Sequence, residues 1–273
     1  RPTLLGGGEN PVDRFIAQLN LAEEDPRVKA VIVRVSSPGG TVTSSHILYT
    51  ELHAFRERSG KPVVVSIGEV AASGGYYVAL GADEIVAEPT SITGSIGVIV
   101  PTVNVSKGLG MIGITSRSVV SGPNKDMANP LEPMQERHFE VLQELVDGSY
   151  ARFRGLVVAR RPGLKEADVG LATDGRIFSG ERAHELGLVD SLGGVREAHA
   201  RAKALAGVER AQLVRYVTAG ELARTPYAAG PAVAGAQQGE REFNLVQLNV
   251  PGGGVGGLGN PMETGGIYYL WMP

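Results

Sequence analysis

Ser73 sits in the stretch AASGGYYVALGADEI (71–85), where Ala71 to Gly75 are all small and Tyr76 to Leu80 turn bulky and apolar. Two readings fit. Serine is a preferred helix N-cap and glycine allows tight packing; equally, a hydroxyl at the positive end of a helix is placed to act as a nucleophile. A serine hydroxyl is inert near neutral pH unless a base takes its proton. The five histidines, His46, His53, His138, His184 and His199, all fall in segments that read as helices and none in a glycine-rich loop, which favours ordinary surface or packing roles. The other activator is a lysine made neutral by desolvation. Such a lysine belongs in a loop that folds inward among small or apolar residues. Lys125 in SGPNKDMANP fits that description, Lys107 in VSKGLGM competes with it, and Lys165 lies beside acids on a solvent-facing helix. On local grounds alone, a solvated loop lysine beside Asp126 remains the simpler reading of Lys125.

Acyl transfer also needs donors for a tetrahedral oxyanion. The amide of Gly74, directly after Ser73, is one. The run SSPGG (36–40) follows a strand expected to neighbour the one that feeds Ser73, and its glycines can turn an amide toward the same point. A plain strand-to-helix turn accounts for that run equally well. Two glycine-rich loops after two successive parallel strands nevertheless mark a carboxyl edge, where open parallel sheets bind ligands. No HExxH or other metal spacing, no GxGxxG and no Walker loop occurs, so no metal or cofactor is expected.

The elements that must hold these residues alternate between helix and strand. Apolar spacing predicts a helix over 11–25, closed by Asp25-Pro26, and a β-branched strand over 28–35. A helix over 42–58 and a buried strand over 61–68 follow, then the short helix after Ser73 and a strand over 83–88. PTSITGSIG reads as a loop, VIVPTVNV and GITSRSVV as strands, 121–133 as a loop and 133–161 as a long helix. TDGRIFSGERAHELGLVDSLGG gives strand, helix and strand, and GVREAHARAKALAG a last helix. Strands separated by helices predict an α/β fold with a mainly parallel sheet covered by helices.

With 273 residues, 42% of them hydrophobic, the chain has ample material for a packed core. Zero cysteines exclude disulfides, thiolate metal sites and a cysteine nucleophile. A net charge of −3 provides no basic field for nucleic acid. No apolar run approaches the roughly 20 residues of a membrane helix. RPTLLGGGENP lacks the pattern of a signal peptide and reads as the interior of a longer chain, so any anchor is expected upstream. Beyond about 208 the character changes: QLVRYV and FNLVQLNV flank a small, polar run, and a glycine-rich stretch leads to IYYLWMP. The expectation is a domain over 1–207 and an appendage over 208–273 whose aromatic end docks on the core or on a neighbouring subunit.

Taken together, VKAVIVRVSSPGG, KPVVVSIGEVAASGGYYVALGADEIVAEPTSITGSIGVI, SGPNKDMANP and DGRIFSGERAHELGLVDSLGG resemble the bacterial signal peptide peptidase A family, from about residue 11 to about 206. These are serine–lysine peptidases with the fold of Clp protease and crotonase. The resemblance implies Ser73 as nucleophile, Lys125 as general base, Ser95 in TGSIG as the group that orients the lysine, and the Gly40 and Gly74 amides as the oxyanion hole. It implies cleaved signal peptides and other extended apolar peptides as substrates. It also implies a ring-like homo-oligomer in which one subunit's lysine can serve its neighbour's serine. The setting it implies is a bacterial inner or cytoplasmic membrane, with the catalytic domain on the extracytoplasmic side. Serine and lysine fall in one copy at short-form spacing, so a single chain is the expected repeating unit. The Clp branch would require a histidine some two dozen residues after the serine, and none stands near Val98. Other readings are a membrane-protease relative that trims a hydrophobic tail of a partner, a crotonase-type acyl-CoA enzyme, and a catalytically idle scaffold.

Overall fold

The computed structural model describes residues 11–215 and the backbone course of 266–271. Strands β1 (Val28–Ser37) and β2 (Val63–Ala72) are built from β-branched runs and pair in parallel, Val31 opposite Val63 through Val35 opposite Ile67. Successive side chains of a strand point to opposite faces. On β1 and β2, Val31, Val33, Val35, Val63, Val65 and Ile67 enter a large core, joined by Ile85 and Ala87 of β3 (Glu84–Ala87). Ala30, Ile32, Val64 and Val86 enter a smaller core on the other face. Both faces are covered, which is why these strands read as unbroken apolar runs.

The covering helices follow from the same pattern. The large core takes Leu19 and Ala22 from α1 (Pro11–Glu24), Leu52 and Phe55 from α2 (Val42–Ser59), and most of α3 (Gly74–Ala79). Helix α2 has defined ends: Thr41 accepts from the Ser44 amide at its start, and Gly60 closes it in the left-handed conformation.

The sheet is parallel at its centre, with antiparallel strands at two of its edges. One side of β2 meets β3 over Val64–Ile67 and then β4 (Ile92–Gly94) over Val70–Ala72. This fork curls the sheet around the carboxyl end of β2. Of the two strands at the fork, β4 is flanked by antiparallel β5 (Ile177–Ser179) and β3 by parallel β6 (Ser191–Leu192). On the far side, β8 (Gly266–Trp271) runs antiparallel between β1 and β7 (Gln212–Val214). The backbone of the C-terminal IYYLW stretch thus lies in the chain's own sheet. FNLVQLNV and the glycine-rich run after it lie outside the described residues.

Two parts depart from the sequence expectation. PTSITGSIG, read as a loop, contributes β4, which finds a parallel partner in the end of β2. VIVPTVNV and GITSRSVV form no strands; residues 95–105 and 114–120 are irregular, with the short helix α4 (Ser106–Met111) between them. Their apolar side chains face outward: Ile99 is 83% exposed, Met111 88% and Val119 99%. A β-branched pattern records a need for burial but does not supply a partner strand, and none of the described residues offers one here. The arm is tied to itself instead. The Asn104 side-chain amide donates to the Glu132 carbonyl (2.7 Å), and the Ser118 hydroxyl donates to the Glu132 carboxylate (2.9 Å). The helix expected over 133–161 begins three residues later, as α5 (Glu136–Arg160). Helices α6 (Glu166–Ala172), α7 (Gly180–Glu185) and α8 (Val195–Leu205) complete the order, and Ala198 and Ala202 of α8 cover the smaller core.

Candidate active site

Ser73 ends β2 and begins α3 with φ +50° and ψ −119°, a backbone conformation that non-glycine residues avoid. Such a conformation costs of order 1–3 kcal/mol and survives only where the surroundings over-determine it. Here they do. The Ser73 amide donates to the Gly94 carbonyl (2.8 Å), and the Ser73 carbonyl accepts from the Tyr77 amide (2.9 Å). The Thr93 hydroxyl, fully buried, donates to the Ala71 carbonyl (2.7 Å) and fixes the last paired residues of β2 and β4. The Ser73 side chain makes no capping bond to α3. Its hydroxyl therefore does not cap the helix at whose start it stands.

The SSPGG loop closes on this elbow. Gly39 has φ +130°, and a Cβ there would meet the Ser73 Cβ at 3.0 Å and the Gly74 amide nitrogen at 3.3 Å. A Cβ on Gly74 would run into the Ser45 hydroxyl and come within 3.1 Å of the Gly40 amide nitrogen. Backbone thus approaches backbone, with glycine on both sides. A Cβ on Gly40 would meet nothing within 4 Å, so that residue faces open space. The result is a set of amides beside one half-buried hydroxyl.

Ser95 stands at the end of β4, one position past the Ala72–Gly94 pair, just as Ser73 stands past β2. It too has a positive φ, +51°, and its amide donates to the Arg176 carbonyl (2.7 Å). Two serines in left-handed backbone thus close neighbouring parallel strands at one carboxyl edge. Lys125 lies elsewhere in the chain's surface, in the turn-rich loop of the exposed arm, with its side chain exposed. Among the described residues no hydrogen bond or ion pair joins it to Ser73 or Ser95.

Histidine supplies no base at this elbow. His46 Nδ1 lies 3.1 Å from the Tyr77 hydroxyl, one helical turn past Ser73, and no histidine bonds Ser73 among the described residues. Burial pushes the Tyr77 phenol above its ordinary value, with Arg152 pulling it back down. No group of three or more His, Asp or Glu with the makings of a metal site occurs among the described residues. A groove of about 980 Å³ runs between residues 98–102 and the first half of α5, with Ile99, Val100, Phe139 and Leu142 on its apolar side and Glu140 and Glu144 among its acids.

Ser45 and Thr93 carry no sequence signal for this site; both act through contacts that no local pattern announces.

The profile of peptidase family S49 matches residues 55–209, more than half of the chain and the span that contains Ser73, Ser95 and Lys125. The chain belongs to peptidase family S49. Relatives agree with that placement. A Synechocystis sp. protein named as a protease is 41% identical over 186 residues, 68% of this chain and 66% of the relative. Protease 4 of Salmonella typhi is 38% identical over 219 residues, 78% of this chain and 35% of its own. An Enterococcus faecium protein named as a signal peptide peptidase SppA is 38% identical over 179 residues, 66% of this chain and 52% of its own. The matched region thus spans about one third to two thirds of the length of these S49 relatives. No helix among the described residues is long and apolar enough to cross a membrane.

Proposed function

We propose that this S49 chain is a serine endopeptidase in which Ser73 attacks the scissile carbonyl and Lys125 acts as general base. The observation that carries this reading is the Ser73 elbow: a hydroxyl free of capping duty, held in strained backbone, with the Gly40 and Gly74 amides packed beside it. The Lys125 amine takes the hydroxyl proton as the Ser73 Oγ–carbonyl bond forms. The Gly40 and Gly74 amides stabilise the oxyanion, and Ser95 orients the lysine amine. The lysine then returns its proton to the leaving amine, and an acyl-enzyme remains. Water, deprotonated by the same lysine, releases the acid and restores Ser73.

The substrate class is an extended, apolar peptide such as a cleaved signal peptide. Residues 96–104 support this, because they run irregularly away from Ser95 with no backbone ladder bonds, leaving amides and carbonyls for a strand laid alongside. That class of substrate sets the working place at the extracytoplasmic face of a bacterial membrane. The fold is that of the Clp protease and crotonase group, assembled as a ring. The exposed apolar side chains of the arm support assembly, since a second copy would cover Ile99, Met111 and Val119. Lys125, exposed on the same arm, then serves the Ser73 of a neighbour.

The test is labelling by an alkyl fluorophosphonate. The expected result is one adduct on Ser73, absent from Ser73→Ala and at least about 100-fold slower in Lys125→Ala. Mixed Ser73→Ala and Lys125→Ala chains regain partial labelling if the dyad crosses subunits. A wild-type chain that binds no label, or labels equally without Ser73, overturns the peptidase reading. Absence of recovery on mixing rejects only the shared dyad.

A further inference from the structure

We infer that His138, with Arg137, is a positioning residue for Lys125, an inference that rests on the serine–lysine reading above. His138 lies in the first turn of α5 and is only 2% exposed, although it follows the exposed loop that carries Lys125. Its Nε2 is 2.9 Å from the carbonyl oxygen of Pro123, two residues before Lys125. The Arg137 guanidinium donates to that same oxygen at 2.8 Å. One carbonyl thus receives two donors from consecutive residues of α5. On the other side of Lys125, the Asp126 carboxylate stands 3.8 Å from the same Nε2. The loop is held two residues before the lysine, and the carboxylate directly after the lysine faces the same ring nitrogen.

The second ring nitrogen identifies the purpose of the first. Nε2 must carry a proton to donate to a carbonyl. Nδ1 is buried without a hydrogen-bond partner. An apolar side chain would fill this space without stranding a polar atom, so packing alone gives no reason for an imidazole here. The bond to Pro123 does.

The clamp acts on a loop that needs one. Within 121–129 the backbone closes on itself through Lys125 amide to Gly122 carbonyl (3.1 Å) and Asn129 amide to Asp126 carbonyl (3.0 Å), and Ala128 adopts φ +65°. These bonds shape the turn but do not fix it to a regular element; His138 and Arg137 do, by tying it to a 25-residue helix. A base displaced by about 1 Å can cost of order 100-fold in rate. Loss of the clamp should therefore slow the chemical step while leaving ligand binding intact.

The experiment measures fluorophosphonate labelling as a saturable process, with the maximal rate and the half-saturating concentration determined separately. His138→Ala is expected to lower the maximal rate about tenfold or more, with the half-saturating concentration unchanged. His138→Gln, whose amide nitrogen can replace Nε2 as donor, is expected to restore most of that rate. Exposed Arg137→Ala, which leaves the fold untouched, is expected to give a smaller loss of the same kind. Folded His138→Ala with a wild-type maximal rate overturns the inference. So does His138→Gln that is folded but as slow as His138→Ala, since packing and not the donor would then matter. If His138→Ala does not fold, His138→Gln and Arg137→Ala decide: near-wild-type labelling by the first and slowed labelling by the second support the clamp, and any other pair rejects it. Lys125→Ala in the same assay separates the two levels. Unimpaired labelling there sinks the serine–lysine reading, whereas a Lys125 requirement with indifferent His138 variants sinks only the clamp.

Discussion

At the scale of single residues, glycine and serine divide the work around position 73. Ser73 holds its hydroxyl in a backbone conformation it would not choose, and Gly74 lets the SSPGG loop come within contact of it. A methyl group at 74 meets both the Ser45 hydroxyl and the Gly40 amide. Ser45 can rotate; a backbone amide cannot move without its loop. Gly74→Ala should therefore push the Gly40 amide away from the proposed oxyanion position and slow labelling of Ser73 by about 100-fold. The melting temperature should fall by only a few degrees, because the change lies at the rim of the core. A labelling rate unchanged in Gly74→Ala would show that the two amides do not share one oxyanion.

At the scale of elements, the site depends on how α3 is held from behind. Tyr76, three residues past Ser73 and fully buried, donates its hydroxyl to the Leu188 carbonyl (2.7 Å). Arg161, just past α5, donates to the Gly187 carbonyl (2.8 Å) and bidentately to the Asp190 carboxylate (2.8 and 2.9 Å). Asp190 in turn accepts from the Ile85 amide (2.7 Å) of β3. This polar knot, buried at Tyr76 and Arg161, joins α3, α5, β3 and the 186–190 turn. Tyr76→Phe leaves the Leu188 carbonyl unpaired and should cost about 1–3 kcal/mol of stability, read from denaturant unfolding at neutral pH. The knot also predicts a pH dependence. Burial, with a smaller push from Asp190 against a pull from Arg161, raises the Tyr76 phenol above its ordinary value of 10.0. The folded chain keeps that proton where the unfolded chain has lost it, so this contribution is complete below about pH 10 and fades as pH rises above it. Wild type should lose stability more steeply than Tyr76→Phe above pH 10; parallel curves would count against the buried phenol.

At the scale of the whole molecule, the central strand β1 is sealed on one side by the chain's own C-terminal segment. Ala30 to Arg34 pair with Leu270 to Gly266, and Gln212 to Val214 of β7 pair with the other side of β8. Deleting 266–273 would bare the backbone groups of β1 and leave β7 unpaired. Bare strand edges recruit other chains. The truncated chain should melt at a lower temperature and turn turbid on warming at concentrations where the full chain stays clear. Equal melting curves would mean that β8 contributes nothing to the sheet. The arm at 98–131 presents the complementary case of apolar surface that the described residues leave open, which is why assembly and a shared dyad belong to one proposal.

Sequence alone determined most of what local chemistry dictates. The runs of β1 and β2, the periodicity of α1 and α2, and the small residues around Ser73 are legible because strand, helix and close approach each require particular residue types at particular spacings. The motifs by themselves resemble the signal peptide peptidase A family. Tertiary structure decided the rest. VIVPTVNV and GITSRSVV carry a strand pattern, yet a strand exists only when another strand accepts its hydrogen bonds, and no spacing states whether one will. His138 read as an ordinary helical histidine because its partner, the Pro123 carbonyl, is a backbone group without a side-chain signature. Ser73 read equally as a cap or a nucleophile, since both need a hydroxyl before a helix; only the folded turn, with its positive φ and its absent capping bond, sets the cap reading aside.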